Sequence, residues 1–311
     1  MWADKPNGLG KEILSVKFMK KGIQQGTELH SRSQLGLILF RFRKNKLAVI
    51  SVYFLIFIAI AILAAPLYMD YDKAIVMNVT EKFQSPSWEH PFGTDLYGRD
   101  LLARVIYGGR ISLFAGLCII FFSFIFGVII GSIAGFFGGK VDQIMMRFID
   151  IFMAVPTIFM AMAIITALGE GVKNIIIAFV ICNIPSYSRI VRSSTMTLRN
   201  MEYVEAAECY GASKLHIILK HIIPNGIGPV IVTATISLGV AILSISSLGF
   251  LGLGISAPTP EWGTLLADNR YYIRYYPYLG ILPGVAIILT VMCVNFIGDG
   301  LRDALDPKMK K

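Results

Sequence analysis

The residue types that usually carry catalysis are scarce in this sequence and are not grouped. Two Gly-Lys pairs could mark a phosphate-binding loop, but Lys5 and Ala134 stand where the GxxxxGK(S/T) pattern requires its first glycine. Cysteines and histidines are scattered without metal-ligand spacing, at Cys118, Cys182, Cys209, Cys293, His90, His216 and His221. No HExxH or GxSxG sequence is present. We therefore predict no catalytic residue, no metal site and no cofactor bound by this chain.

The most informative polar stretch, residues 200–225, has the spacing of a helix–glycine–helix hairpin. Asn200 can cap a first helix, which Gly211 ends because glycine adopts the backbone conformation of a helix stop. Ser213 can cap a second helix, and Pro224 closes it because proline cannot donate a helix hydrogen bond.

One face of the first predicted helix carries two small residues between two aromatic rings. Tyr203, Ala206, Ala207 and Tyr210 follow the i, i+3, i+4, i+7 spacing of a helix face, and glutamates such as Glu205 flank them. Small residues would let the helix sit deep in a groove of a soluble partner. The same face could instead pack on the spans of this chain, and spacing alone leaves both interpretations open.

Long uncharged runs place most of the chain in a membrane. The sequence is 55% apolar and 16% charged, whereas a soluble domain has about a quarter of its residues charged. Five runs are long enough to cross a bilayer as helices: Leu47–Met69, Ile111–Gly139, Ile151–Gly169, Ile222–Pro260 and Tyr275–Gly298. A sixth, Asn174–Ser188, would need Arg189 and Arg192 to reach the headgroups by snorkelling. We predict an all-α integral membrane protein with six transmembrane helices.

The distribution of basic residues predicts the orientation. With the N terminus inside, 21 of the 29 Lys and Arg residues lie on the cytoplasmic side, as the positive-inside rule requires. Both termini are then cytoplasmic, and the net charge of +9 requires no nucleic-acid partner. The amino-terminal segment lacks the pattern of a cleaved signal peptide. The predicted regions are a tail with an interfacial helix (1–46), a first span (47–69), an outer segment (70–108), a five-helix core (109–299) and a cytoplasmic tail (300–311).

Small residues and prolines inside the spans predict how these helices pack. Gly127, Gly131 and Gly135 form a doubled GxxxG pattern, which allows close backbone contact between membrane helices. Three spans contain a proline that favours a kink, at Pro156, Pro185 and Pro283.

The spans contain no charged residue near the membrane midplane. Ion-coupled carriers usually need such a group there. The most polar residues left inside are candidates for helix packing or for lining a pathway, and include Asn183, Thr233, Ser237 and Ser244.

The outer segment also has local signals. Thr94 or Asp95 can cap a short helix, and Arg99 can pair with Asp100. Trp262 and the nearby tyrosines suit an outer membrane boundary, with contact to a substrate or binding protein as the alternative.

The hairpin resembles a motif of a known family. Glu205-Ala206-Ala207, three residues, Gly211, nine residues and then His221-Ile222-Ile223-Pro224 resembles the EAA motif of binding-protein-dependent ABC importer permeases. The resemblance implies that the loop 196–224 is a coupling helix that inserts into a cleft of an ATPase subunit.

Two further segments resemble the dipeptide, oligopeptide and nickel branch of that family, specifically its shorter permease subunit. They are HPFGTDLYGRDLLARVIYGGRISL (90–113) and LGFLGLGISAPTPEWGTLL (248–266). The resemblance, which spans about Arg41 to Pro307, implies a type I ABC importer permease fold in the inner cell membrane. Its implied partners are a second homologous permease, one or two P-loop ATPases that carry ATP and Mg, an extracytoplasmic peptide-binding protein and membrane lipid.

We predict that the chain imports short peptides as a non-catalytic permease subunit. A nickel or metal-chelate importer is the alternative within the family. A secondary carrier is disfavoured because the spans lack a midplane charge, and an intramembrane enzyme because no catalytic motif is present.

Overall fold

The computed structural model describes residues 34–305. The predictions for 1–33 and 306–311, which include most of both tails, lie outside these described residues. The helices of the first part of the chain are α1 (Gln34–Lys44), α2 (Lys46–Leu63), α3 (Ala65–Tyr68), α4 (Asp72–Ile75), α5 (Leu101–Phe137), α6 (Gly139–Met153), α7 (Thr157–Leu168) and α8 (Val172–Arg199), with a 3-10 turn at Val79–Glu81.

The remaining helices include two that are long enough to cross a membrane. They are α9 (Glu202–Cys209), α10 (Lys214–Ile217), α11 (Ile223–Gly226), α12 (Gly228–Phe250), α13 (Trp262–Asn269) and α14 (Tyr278–Leu305), with a π-helical turn at Ile218–Ile222. Between residues 34 and 305 no β-strand forms, and one isolated antiparallel bridge joins Thr94 to Asp100.

The predicted all-helical membrane architecture is confirmed at this level. Helices α2, α5, α8, α12 and α14 are each long and apolar enough to span a bilayer. A sixth span exists if α6 and α7 are counted as one broken helix. Many large apolar side chains on these helices are exposed, for example Phe57, Phe114 and Leu243, as expected of surfaces that face lipid or another membrane subunit.

The run Ile151–Gly169 was predicted as a span with a kink at Pro156, and the structure breaks the helix completely at that proline. Helices α6 and α7 meet at an angle of 86°, and Pro156 precedes α7 with an extended ψ of 134°. Proline disfavours the helical conformation of the residue before it and has no N–H to donate, so the helix breaks there. The 12 residues of α7 reach about 18 Å, which is shorter than the hydrocarbon core.

The arginines that follow the sixth run have carboxylate partners on α6. Helix α8 continues through Pro185 to Arg199. Arg189 forms an ion pair with Asp150 of α6, and Arg192 forms one with Asp142. These two carboxylates of α6 compensate the arginine charges of α8.

The short helix that Thr94 or Asp95 was predicted to cap does not form, and α5 begins after Asp100. The Asp100 carboxylate accepts a hydrogen bond of 2.8 Å from the Ala103 N–H, so neither Thr94 nor Asp95 is the cap. With 37 residues, α5 is about 55 Å long and extends beyond the hydrocarbon core. It packs most extensively along α8 and also contacts α12, while α14 packs on α2 and α12.

Candidate functional site

The hairpin of residues 200–225 forms at one end of the helix bundle. Helix α9 ends at Cys209, and Gly211 follows with φ +80°. The Tyr210 N–H donates to the Ala206 carbonyl at 3.0 Å, and the Ala212 N–H to the Ala207 carbonyl at 3.1 Å. These bonds satisfy the last carbonyls of α9 and reverse the chain, as in a glycine-terminated helix.

Two details of the predicted hairpin were wrong. Met201, rather than Asn200, occupies the position before α9 and gives no side-chain cap. Ser213 caps the second segment as predicted, accepting from the His216 N–H at 3.3 Å. Pro224 does not close that segment, because it lies in the first turn of α11, where a missing N–H costs no helix bond.

The inner face of the hairpin is apolar and rests on α5. Val204 is 1% exposed and packs with Ile217, Ile218 and Ile222 against Phe136, near the end of α5. Ala207 is partly buried against the same cluster. This cluster joins the hairpin to the end of α5.

The outer face of the hairpin is open. Tyr210 is 93% exposed, and Glu205 and Ala206 are exposed beside it. Tyr203 is 39% exposed, with its ring centroid 6.4 Å from that of His221. The predicted stripe is therefore divided: Ala207 faces this chain, whereas the other three residues remain available to another surface.

Polar contacts also join the helices that lie next to the hairpin. The Arg199 guanidinium donates to the Phe136 carbonyl at 3.0 Å, which satisfies a carbonyl in the last turn of α5. The ion pairs of Arg192 with Asp142 and of Arg189 with Asp150 connect α8 to α6. Helices α5, α6 and α8 are therefore joined by polar contacts near the hairpin.

The three glycines of α5 lie at its contact with α8. A Cβ on Gly127 would lie 2.3 Å from the Tyr187 Cβ, and one on Gly131 would lie 2.5 Å from the Ser188 carbonyl oxygen. One on Gly135 would lie 2.8 Å from the Arg192 carbonyl oxygen. The glycines allow a backbone approach that no side chain would permit.

The four residues predicted to line a pathway are half-buried. Three of them form hydrogen bonds to backbone carbonyls of their own helices. Asn183 donates to the Phe179 carbonyl at 2.7 Å, Thr233 to that of Pro229 at 3.0 Å, and Ser244 to that of Val240 at 2.8 Å. Ser237 is half-buried on α12. Hydroxyls in helices commonly make this bond to the preceding turn, and a pathway role stays a prediction.

Sequence reasoning missed a buried charge network at the opposite end of the molecule. The Asp95 carboxylate lies 2.7 Å from Nη2 of Arg99 and 3.4 Å from Nε of Arg104. Asp268 of α13 lies 3.3 Å from Arg104 and 3.6 Å from Arg99. The predicted pairing of Arg99 with Asp100 was wrong, since Asp100 bonds to His90 at 2.9 Å. The spacing of Asp95 and Arg99 gave no signal for this pair, because the i, i+4 rule applies to helices and these residues lie in a turn.

A second missed feature is a buried glutamate beside the same network. Glu261 is fully buried and accepts from Ser112 of α5 at 3.0 Å and from Ser246 of α12 at 3.3 Å. It also caps α13 by accepting from the Thr264 N–H at 2.9 Å. Trp262 is 2% exposed, so it packs inside the protein and does not face lipid as a boundary anchor would. These contacts hold the segment that connects α12 to α14 against α5.

The chain matches two protein families. Residues 127–311 match the family described as "Binding-protein-dependent transport system inner membrane component". Residues 33–86 match the "N-terminal TM domain of oligopeptide transport permease C".

Curated relatives cover most of the chain. It is 46% identical over 269 residues to the dipeptide transport system permease protein DppC of Alkalihalophilus pseudofirmus, covering 86% of this chain and 88% of that protein. It is 41% identical over 273 residues to the oligopeptide transport system permease protein OppC of Bacillus subtilis, covering 88% and 89%. It is 39% identical over 270 residues to the glutathione transport system permease protein GsiD of Escherichia coli O157:H7, covering 87% and 89%.

A solved structure has the same fold. A chain of the MetNI methionine ABC transporter, in an inward-facing conformation, superposes with a TM-score of 0.54 at 19% identity, covering 65% of this chain and 96% of that chain. The apolar helices, the family match and the curated relatives define the membrane-spanning permease subunit of an ABC importer. The chain belongs to the binding-protein-dependent transport permeases, together with the DppC and OppC proteins, and is a multi-pass protein of the inner membrane.

Proposed function

We propose that this chain is one permease subunit of an ATP-driven importer of short peptides and that its hairpin docks on a partner ATPase. The observation that carries the proposal is the divided hairpin: Glu205, Ala206 and Tyr210 face outward, while Val204 holds the inner face against α5. Small and aromatic residues on an exposed helix suit insertion into a groove. The permease names of the relatives DppC, OppC and GsiD support a peptide as the cargo.

The other components of the transporter are separate protein chains. A second homologous permease completes the pathway, an extracytoplasmic binding protein delivers the peptide, and one or two P-loop ATPases carry ATP and Mg. This chain catalyses no reaction. ATP-driven closure of the ATPases pulls the hairpin, and α5 and α8 follow because they are attached to it.

In the proposed topology the hairpin and both termini are cytoplasmic, and α6 with α7 forms the third of six spans. The native cysteines allow a direct test, because Cys209 of the hairpin is exposed, whereas Cys182 and Cys293 are buried. A membrane-impermeant maleimide should label inside-out vesicles and not right-side-out vesicles, and Cys209→Ser should abolish the labelling. Labelling of Cys209 in right-side-out vesicles would refute this orientation.

The partnership is tested by purifying the tagged chain from its native membrane in mild detergent. We expect a second permease subunit and one or two P-loop ATPases in stoichiometric amounts. The reconstituted complex should take up short peptides only with ATP and the binding protein. A chain that is recovered alone and transports without ATP would instead be a secondary carrier.

A further inference from the structure

A groove of about 430 Å³ lies between α2 and α5. Its walls are almost entirely hydrocarbon, with Ala59 and Leu63 on one side, Phe114 and Leu117 on the other, and Val172 at the start of α8. Leu63, Phe114 and Leu117 are more than half exposed. Within the described part of the chain, nothing fills this groove, and its length follows the helices into the uncharged part of α5.

Arg110 lies at the mouth of the groove and immediately precedes the uncharged run Ile111–Gly139. Its guanidinium is exposed and makes no ion pair or hydrogen bond with any residue between 34 and 305. Arg99 and Arg104, on the same side of that run, both have aspartate partners. Arg110 therefore presents a positive charge without a direct ion-pair partner among residues 34–305, where the apolar surface begins.

A second, larger cavity of about 790 Å³ adjoins the groove and shares Arg110 and Ile111 with it. The Asp70 carboxylate and the rings of Tyr71 and Tyr107 line this cavity. An apolar groove thus opens past a cation into a space of mixed polar and apolar lining that also contains an anion. This order of environments matches the acyl chain, phosphate and amine of a zwitterionic phospholipid.

We propose that the two cavities bind one phospholipid with an amine-bearing headgroup. Its acyl chain occupies the apolar groove, where it makes van der Waals contacts with the hydrocarbon walls. Its phosphate bonds to Arg110, whose planar guanidinium can donate two parallel hydrogen bonds to phosphate oxygens. Its amine lies near Asp70, which disfavours a second anionic group in the headgroup. The proposal requires only that α2 and α5 cross the membrane.

The site is tested with the complex in nanodiscs that contain equal amounts of phosphatidylethanolamine and phosphatidylglycerol, followed by native mass spectrometry of retained lipid. We expect the wild type to retain phosphatidylethanolamine in preference. Arg110→Gln should lower its apparent affinity about tenfold or more, since a charge-assisted bond to phosphate is lost. Arg110→Lys should retain part of it. Arg274→Gln is the matched control, because Arg274 is exposed and lies outside both cavities.

Two further variants separate the parts of the site. Leu117→Trp should fill the groove and reduce retention while leaving Arg110 in place, and Asp70→Asn should abolish the preference for the amine-bearing lipid. Equal retention by the wild type and Arg110→Gln would overturn the proposal. So would a preference for phosphatidylglycerol in the wild type.

The competing occupant is the second permease subunit. A photoreactive benzoylphenylalanine in place of Phe114 should cross-link to lipid in the intact complex. Cross-linking to a protein subunit would show that the groove is an interface between permeases and would overturn the lipid site. Stable assembly of each variant, measured by size-exclusion chromatography, separates loss of the site from misfolding.

Discussion

The carboxylate of Asp95 and the guanidinium of Arg99 form an ion pair of 2.7 Å in which each side chain is only 1% exposed. The same carboxylate also bonds to the backbone N–H groups of Tyr97 and Arg99, at 2.8 and 3.0 Å. Asp95 therefore holds its own loop and also compensates a buried arginine. Through Arg104, 3.4 Å away, it connects the loop to α5.

Removing this carboxylate should destabilise the protein strongly. Asp95→Asn leaves Arg99 and Arg104 buried with weaker compensation, and breaking a buried ion pair by losing one partner typically costs about 3–5 kcal/mol. We expect a clearly lower melting temperature of the purified protein in detergent. The control is Glu89→Gln, since Glu89 is exposed in the same connection. Equal melting of the two variants would contradict a stabilising role for Asp95.

Asp268 should make the folded protein less stable as the pH rises. Burial raises the pKa of its carboxyl above the ordinary 3.8, and this outweighs the opposing effects of Arg104 and Arg99. The folded protein thus holds this proton more tightly than the unfolded chain. Its contribution to stability is complete below the unfolded pKa and is lost as the pH rises through the raised pKa.

The matching measurement compares the wild type with Asp268→Asn. The melting temperature of the wild type relative to this variant should fall as the pH is raised from about 4 to about 7. Asp72→Asn, which changes an exposed aspartate of the same end, should show no such trend. If the melting temperature of the wild type relative to Asp268→Asn instead rose with pH, the ion pairs with the arginines would have a larger effect on the pKa of Asp268 than burial.

The contact of α5 with α8 should not tolerate a methyl group at Gly131. Gly131→Ala places a Cβ 2.5 Å from the Ser188 carbonyl oxygen, and such overpacking typically costs about 1–3 kcal/mol. Gly284 is a matched control in α14, because a Cβ there meets nothing within 4 Å. We expect a lower melting temperature for Gly131→Ala only. If both variants melt alike, the close approach of the two helices is not required.

Glu205 should be required for transport without being required for folding. It is exposed on α9, so Glu205→Gln should leave the melting temperature unchanged and reduce ATP-dependent uptake by the reconstituted complex. Lys220→Gln, at another exposed position of the hairpin, is the control. Normal uptake by Glu205→Gln at normal subunit levels would refute the proposed coupling role.

Gly211 should be required because of its backbone conformation, and not because a side chain at this position would clash. A Cβ there meets nothing within 4 Å, but φ is +80°, a region that costs a β-branched residue of the order of 1–2 kcal/mol. Gly211→Val should therefore lose uptake, whereas Gly211→Asn should retain most of it because asparagine tolerates this conformation. Equal uptake by both variants would show that the turn conformation does not matter for coupling.

Much of the architecture could be predicted because its signals are local. The uncharged run Ile111–Gly139 lies within α5 except for its last two residues, and the run Tyr275–Gly298 lies mostly within α14. In the hairpin, Gly211 ends the first helix and Ser213 caps the second as predicted. The prediction for Pro224 was wrong because proline suits a first turn as well as a helix end, and the sequence does not distinguish them.

Pairings between distant segments could not be predicted in the same way. Asp268 reaches Arg104 across 164 positions, and Glu261 meets Ser112 across 149. Composition marks none of these residues as buried, since charged side chains are usually exposed. Only the packing of α13 against α5 brings them together and removes water.

The sequence by itself determined which segments can enter a membrane and where the hairpin turns, because run length and helix-stop residues act through the nearest few positions of the chain. The tertiary structure decided that Ala207 faces inward while Tyr210 faces outward, that Gly131 meets Ser188, and that the arginines of α8 pair with α6. These outcomes depend on which helices become neighbours. Close packing and charge compensation between neighbours are properties of pairs of surfaces, and no single segment encodes them alone.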